Sequence, residues 1–150
     1  MEEAAQNTVP LGAWLNARRP FQQMRSALLD AEAYLNGYKN TDKVGAWHRL
    51  RDSAGDESAV LAALNALLAA DAAVMALDRQ DTQWALVACG TLPYRESAAV
   101  LAIMALVKHG GARLKGCQRA ECGHVFLDWT NGATRLNCRF HAARPLGGVG

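Results

Sequence analysis

Apolar residues recur at spacings of three and four from Phe21 through Met24, Leu28, Ala31 and Leu35, behind Pro20, which suits a first helical turn, and ahead of Gly37, a C-terminal stop. The pattern predicts an amphipathic helix. From Ser58 onward Leu61, Leu64, Leu67, Leu68 and Met75 repeat it in an alanine-rich stretch, with Asp56 and Glu57 placed at the positive end of the helix dipole. This predicts a second long helix reaching as far as Met75. A third runs from Tyr94 to His109, starting after Pro93 and ending with Lys108-His109 before two glycines. It is apolar nearly all round and is therefore expected at the centre. Between the second and third helices, Thr82 to Gly90 is rich in aromatic and branched residues and reads as a short strand or one arm of a hairpin. No internal repeat or low-complexity linker interrupts the chain.

Composition narrows the class. The 150 residues allow one ordinary domain or a small domain with an appendage, and 51% hydrophobic against 20% charged residues excludes a disordered chain. A formal net charge of +2 is too small to announce a nucleic-acid or membrane partner by itself. Its distribution is more telling. Residues 1–110 carry ten basic and twelve acidic side chains, whereas residues 111–150 carry six basic and two acidic. Three of the four cysteines also fall in that last part, which sets an expected boundary between a helical domain, 1–110, and a small C-terminal lobe, 111–150. The acidic start Met1-Glu2-Glu3 is unlike a secretory signal, and the longest uncharged apolar run, Ala98 to Val107, is about half of what crosses a bilayer. A cytoplasmic protein without a membrane partner is expected. In a reducing compartment its cysteines read as metal ligands or buried hydrophobes rather than disulfides.

The spacing Cys117-x4-Cys122-x15-Cys138-x2-His141 carries the strongest chemistry. Zinc takes four soft or borderline ligands at tetrahedral corners, usually delivered as two close pairs separated by a loop or hairpin. Gly123 permits the sharp turn after Cys122; Val125-Phe126-Leu127 reads as a strand, and Asn131-Gly132 as the turn returning the chain to Cys138. If Asn137 caps a short helix, Cys138 and His141 stand at i and i+3 on one face. His124 competes with His141 for the fourth place, but it lies only two residues beyond Cys122, on the strand. A lobe of about 40 residues usually needs such a staple, and zinc supplies roughly 10–16 kcal/mol to modules of this size. Cys89 stands apart and reads as a core thiol.

Arg113-Leu114-Lys115-Gly116-Cys117, Cys122-Gly123, Phe126-Leu127-Asp128, Arg135 and Cys138 together resemble the CGNR-type zinc finger of bacterial regulators. Upstream, Asn7-Thr8-Val9, Trp14-Leu15 and Ala63-Leu64-Asn65-Ala66-Leu67-Leu68 resemble the ABATE-type helical domain that precedes that finger. The resemblance implies a mainly α fold with a small zinc lobe, and a stress-induced transcription regulator. Within the finger itself the chain departs from the family pattern. Asn137 stands where a tryptophan commonly precedes the third cysteine, and the fourth cysteine, which opens the naming signature, would align with Ala143.

Two classes of function follow. In the first, zinc fixes a basic lobe whose Lys115, Arg119, Arg135, Arg139 and Arg144 reach DNA phosphates, while the helical domain senses a small-molecule effector or forms a homodimer. In the second, the scaffold serves as a small-molecule-binding protein or zinc-dependent enzyme, with three thiolates leaving an open corner for water and Glu121 or Asp128 as base. Three thiolates lower the Lewis acidity of the ion. No paired carboxylates, nucleophile elbow or phosphate cradle accompany them, so the enzyme reading is the weaker. Trp14, Trp47, Trp84 and Trp129 read first as core, and as lining for an apolar pocket second.

Overall fold

The computed structural model of the chain describes residues 8–16, 24–37, 45–130 and 132–142. In chain order the elements are α1 (Leu11–Asn16), α2 (Arg25–Leu35), α3 (Ala46–Asp52), α4 (Glu57–Asp71), β1 (Val74–Gln80), β2 (Gln83–Cys89), α5 (Tyr94–Val107), a 3₁₀ turn (Gly111–Arg113), β3 (Leu114–Gly116), β4 (Val125–Leu127) and α6 (Arg139–Ala142). Helices take up about half of the described residues, beside two small antiparallel hairpins, so the fold is mainly α. Among the described residues no helix is long and apolar enough to cross a membrane.

The first predicted helix is α2, with Ala27, Leu28, Ala31, Tyr34 and Leu35 turned inward; Pro20 and Phe21 lie outside the described residues. In α4 the Asp56 carboxylate caps the amide of Ala59 at 3.2 Å, and the buried stripe is Val60, Leu64, Leu67 and Asp71. Leu61, one residue off that stripe, is 60% exposed.

The second helix does not reach Met75. It stops at Asp71, Ala72 turns left-handed (φ 49°), and Met75 lies in β1 opposite Ala88. Tertiary bonds decide this stop. The Asp71 carbonyl accepts the amide and hydroxyl of Thr91 (2.7 and 2.8 Å), while its buried carboxylate accepts the Leu92 amide (3.2 Å) and the Ser97 hydroxyl (2.8 Å). One residue, through its carbonyl and its carboxylate, thus ends α4 and anchors the start of α5. Gly90 is glycine because a Cβ there would collide with that carboxylate.

The predicted hairpin arm is β2, whose partner is β1, from Val74 opposite Cys89 to Gln80 opposite Gln83. Val9 bonds the other side of β2, exchanging 2.7 and 2.9 Å hydrogen bonds with Ala88. Cys89 is exposed rather than a core thiol, because it ends β2 opposite Val74, which is exposed too. The third predicted helix, α5, is central: Ser97 to Ile103, Ala105 and Leu106 are buried, and α1, α2 and α4 all pack on it. Trp47 of α3 stacks on Tyr34 (centroids 4.9 Å apart) and donates its indole N–H to the buried Glu96 carboxylate at 2.8 Å. Trp14 is also core, whereas Trp84 is 65% exposed.

At the C-terminal end Val125–Leu127 is a strand, as predicted, but its partner is the preceding segment: Leu114 opposes Leu127 and Gly116 opposes Val125. The loop between β3 and β4 closes where the Cys117 amide donates to the His124 carbonyl at 2.9 Å. The returning chain, 133–138, forms no strand. Its turn comes where Ala133 takes a left-handed φ of 52° and donates to the Thr130 carbonyl; Asn131, expected in that turn, lies outside the described residues.

Candidate metal site

Cys117 follows the last residue of β3, Cys122 lies in the loop that leads to β4, and Cys138 and His141 bracket the start of α6. This short helix begins at Arg139, so Cys138 immediately precedes it. The His141 amide closes the turn on the Cys138 carbonyl at 2.9 Å, and the Asn137 side chain lies beside the Cys117 sulfur. One turn therefore presents both ligands of the second pair to the first.

The four ligand atoms lie within 4.8 Å of one another. His141 Nδ1 is 3.4 Å from Cys117 Sγ and 3.5 Å from Cys138 Sγ, and Cys122 Sγ is 3.5 Å from Cys138 Sγ. With bonds of about 2.3 Å to sulfur and 2.0–2.1 Å to nitrogen, tetrahedral coordination separates neighbouring donors by about 3.6–3.8 Å, so these three pairs lie within a few tenths of an ångström of that spacing and no donor pair exceeds it by more than about 1 Å. The group can hold a metal ion. His124 Nδ1 sits 3.4 Å from Cys122 Sγ, but among the described residues it does not join the mutually close set.

The surroundings favour thiolate. Burial pushes the Cys117 thiol up, but hydrogen bonds from the backbone of Cys138 and Arg119, and from the His141 and Cys122 side chains, outweigh it and bring the group down to about 6. Amides aimed at a ligand sulfur stabilise its charge with or without an ion. A groove of about 460 Å³ opens beside the group between Arg119, Ala120, Glu121, Cys122 and His141.

Asp128, weighed above as a catalytic base, is fully buried and fully used. Its carboxylate accepts Lys115 Nζ (2.8 Å), the Thr130 amide (3.0 Å) and hydroxyl (2.5 Å), and the Arg135 amide (2.9 Å). Burial raises its pKa, yet these donors, Lys115 foremost, hold it at about 2. It binds the returning chain to β3 and β4 and is out of reach of any substrate.

The expected phosphate-binding cations divide accordingly. Lys115 points inward and directs all three ammonium hydrogens to internal oxygens: Asp128, the Ala133 carbonyl (2.6 Å) and the Arg135 carbonyl (2.9 Å). Arg135 is half-buried, with its guanidinium 4.8 Å above the Phe126 ring and bonded to the Asn137 carbonyl. Arg119 and Arg139 are exposed; Arg144 and Ala143 lie outside the described residues.

Sequence reading passed over the residues that seat this segment on the helices. Arg113 donates to the carbonyls of Asp128 (2.9 Å) and Thr130 (2.7 Å). From α2, Glu32 accepts the Leu127 amide (2.9 Å), and Asn36, at its C-terminal cap, exchanges two 2.9 Å bonds with the main chain of Val125. Arg51, in α3, donates to the Gly123 carbonyl at 2.7 Å. The i, i+4 spacing of Glu32 and Asn36 was visible in the sequence, but nothing there told a polar pair facing a strand edge from one facing water.

Comparison with protein-family models, with curated proteins and with solved structures returns no match in any of the three.

Proposed function

We propose that this chain is a zinc-binding transcription regulator in which Cys117, Cys122, Cys138 and His141 close a structural zinc site, and the basic segment shaped by that zinc contacts DNA. The convergence of three thiols and one imidazole, drawn from two short segments, is the observation that supports it. Three sulfurs and a nitrogen suit zinc better than calcium or magnesium, which take oxygen. Four protein donors leave no corner for a reactive water, so the ion's contribution is folding free energy. The regulatory half rests on the likeness of residues 113–138 to the CGNR-type finger and on the excess of positive charge beyond residue 110. The exposed Arg119 and Arg139, with Arg144, are the cations that reach phosphates in this reading, and the helical part is the place for effector sensing or self-association.

Cobalt(II) titration should give one equivalent with the absorption of a tetrahedral, thiolate-rich site, unchanged by small anions. His141→Ala should weaken zinc binding at least tenfold; full affinity in that variant would show that the imidazole is no ligand. Duplex DNA binding should fall with salt at a log–log slope of about −2 to −3, the value for two or three phosphate contacts. Absence of binding at low salt would remove the DNA reading while leaving the metal site standing.

A further inference from the structure

β3 and β4 are three residues each, and two strands of that length do not hold together on their own in water. Two of the four ligands hang from this ribbon. Cys117 follows β3 directly, and Cys122 lies three residues before β4, in a loop closed by the Cys117–His124 bond. The strand edge of β4 that faces away from β3 is where a third strand would normally add. It is occupied instead by two side chains one turn apart on α2. The Asn36 amide donates from Nδ2 to the Val125 carbonyl and accepts the Val125 N–H at Oδ1, both at 2.9 Å, which is the bond pair one strand residue gives another. Glu32 takes the next outward amide, that of Leu127, at 2.9 Å. Arg51 holds the carbonyl of Gly123, beside the Cys122 ligand, at 2.7 Å. Helix α2 itself packs on the central helix α5.

We propose that Asn36 and Glu32 are positioning residues of the metal centre: by completing the sheet edge they couple metal binding to docking of the C-terminal segment on the helical body. The inference rests on the metal reading above. A ribbon already docked has less disorder to lose when the ion binds, and a ribbon closed by the ion docks more readily; the two effects must be equal in free energy because they share one cycle. Metal occupancy is thereby communicated to α2, about 80 residues away in sequence from the first ligand.

The test uses the whole chain and zinc alone, with affinity read by competition against a chromophoric chelator. Asn36→Ala should bind zinc about tenfold or more weakly, within the range typical of residues that support metal ligands. Its cobalt spectrum should stay unchanged, because the donors are the same. Asn36→Asp, which keeps the acceptor for Val125 N–H but sets a carboxylate oxygen against the Val125 carbonyl, should bind zinc at least as weakly as Asn36→Ala. Affinity within twofold of the unmodified chain in both variants would overturn the coupling while the metal reading survives. If the unmodified chain takes up no zinc, the metal reading itself fails. Should the variants not fold, hydrogen exchange on the unmodified chain decides. On chelation, the Val125 and Leu127 amides, bonded to Asn36 and Glu32, should exchange at least tenfold faster. Unchanged protection there, with metal demonstrably removed, would overturn the proposal.

Discussion

Asp128 shows how one residue's environment sets a stability that depends on pH. Its carboxyl is held at about 2 against an ordinary value of 3.8, so the folded chain keeps it ionised where the unfolded chain would protonate it. The stabilisation, about 2 kcal/mol, is complete above about pH 5 and is lost as pH falls toward 2. Asp128→Asn should remove more. One of its two oxygens becomes an NH2 group, and the Lys115 ammonium and Arg135 amide that now donate to Oδ2 would face a donor. A loss of about 2–4 kcal/mol at pH 7 is expected in denaturant unfolding, along with a flatter stability profile between pH 2 and 4. Glu32 is perturbed in the opposite sense: burial raises its carboxyl, against the pull of the Leu127 amide, Arg135 and Arg139. The folded chain therefore favours its protonated form, and stability declines as pH rises from the ordinary glutamate value through the raised one. Glu32→Gln keeps an acceptor for the Leu127 amide and removes the buried charge. It should leave stability at pH 7 equal or higher, and remove that decline.

At the scale of elements, the junction between α4, β2 and α5 depends on Asp71 and Gly90 together. Asp71→Ala would strand the Leu92 amide and the Ser97 hydroxyl and open a space beside Gly90, at an expected cost of about 2–4 kcal/mol. Gly90→Ala places a methyl group against the same carboxylate and should destabilise by a similar amount. Combining the two should cost less than the sum, because the second change fills the space made by the first; chemical denaturation of the four species measures that coupling. The three long helices were legible in the sequence because their apolar residues repeat with the helical period. The end of α4 was not, since Val74 and Met75 continue the apolar pattern and only the bonds to Thr91, Leu92 and Ser97 stop the helix. β1 was hidden for the same reason. β4 was legible as a strand, but its partner was not: Leu114-Lys115-Gly116 is too short to carry a pattern.

For the whole molecule, the C-terminal segment is held in two ways, by the side chains of α2 and α3 and by whatever closes the four-donor group. Chelation should loosen residues 114–142 and leave the helical core around α5 folded, visible as near-complete retention of helical circular dichroism with new hydrogen exchange confined to that segment. Global unfolding on chelation would mean instead that the helices have no stability of their own. What the sequence determined alone was local and chemical: the helical periods, the excess of positive charge beyond residue 110, and four donors whose spacing suits one ion. These are properties of neighbours along the chain. Tertiary structure alone decided that the His141 imidazole joins all three thiols, which cations turn inward and what covers the outer edge of β4, because each depends on segments tens of residues apart meeting at close range. Lys115 reads in sequence as one more surface charge. Only the meeting of β3, β4 and the returning chain makes it the internal tie that neutralises Asp128.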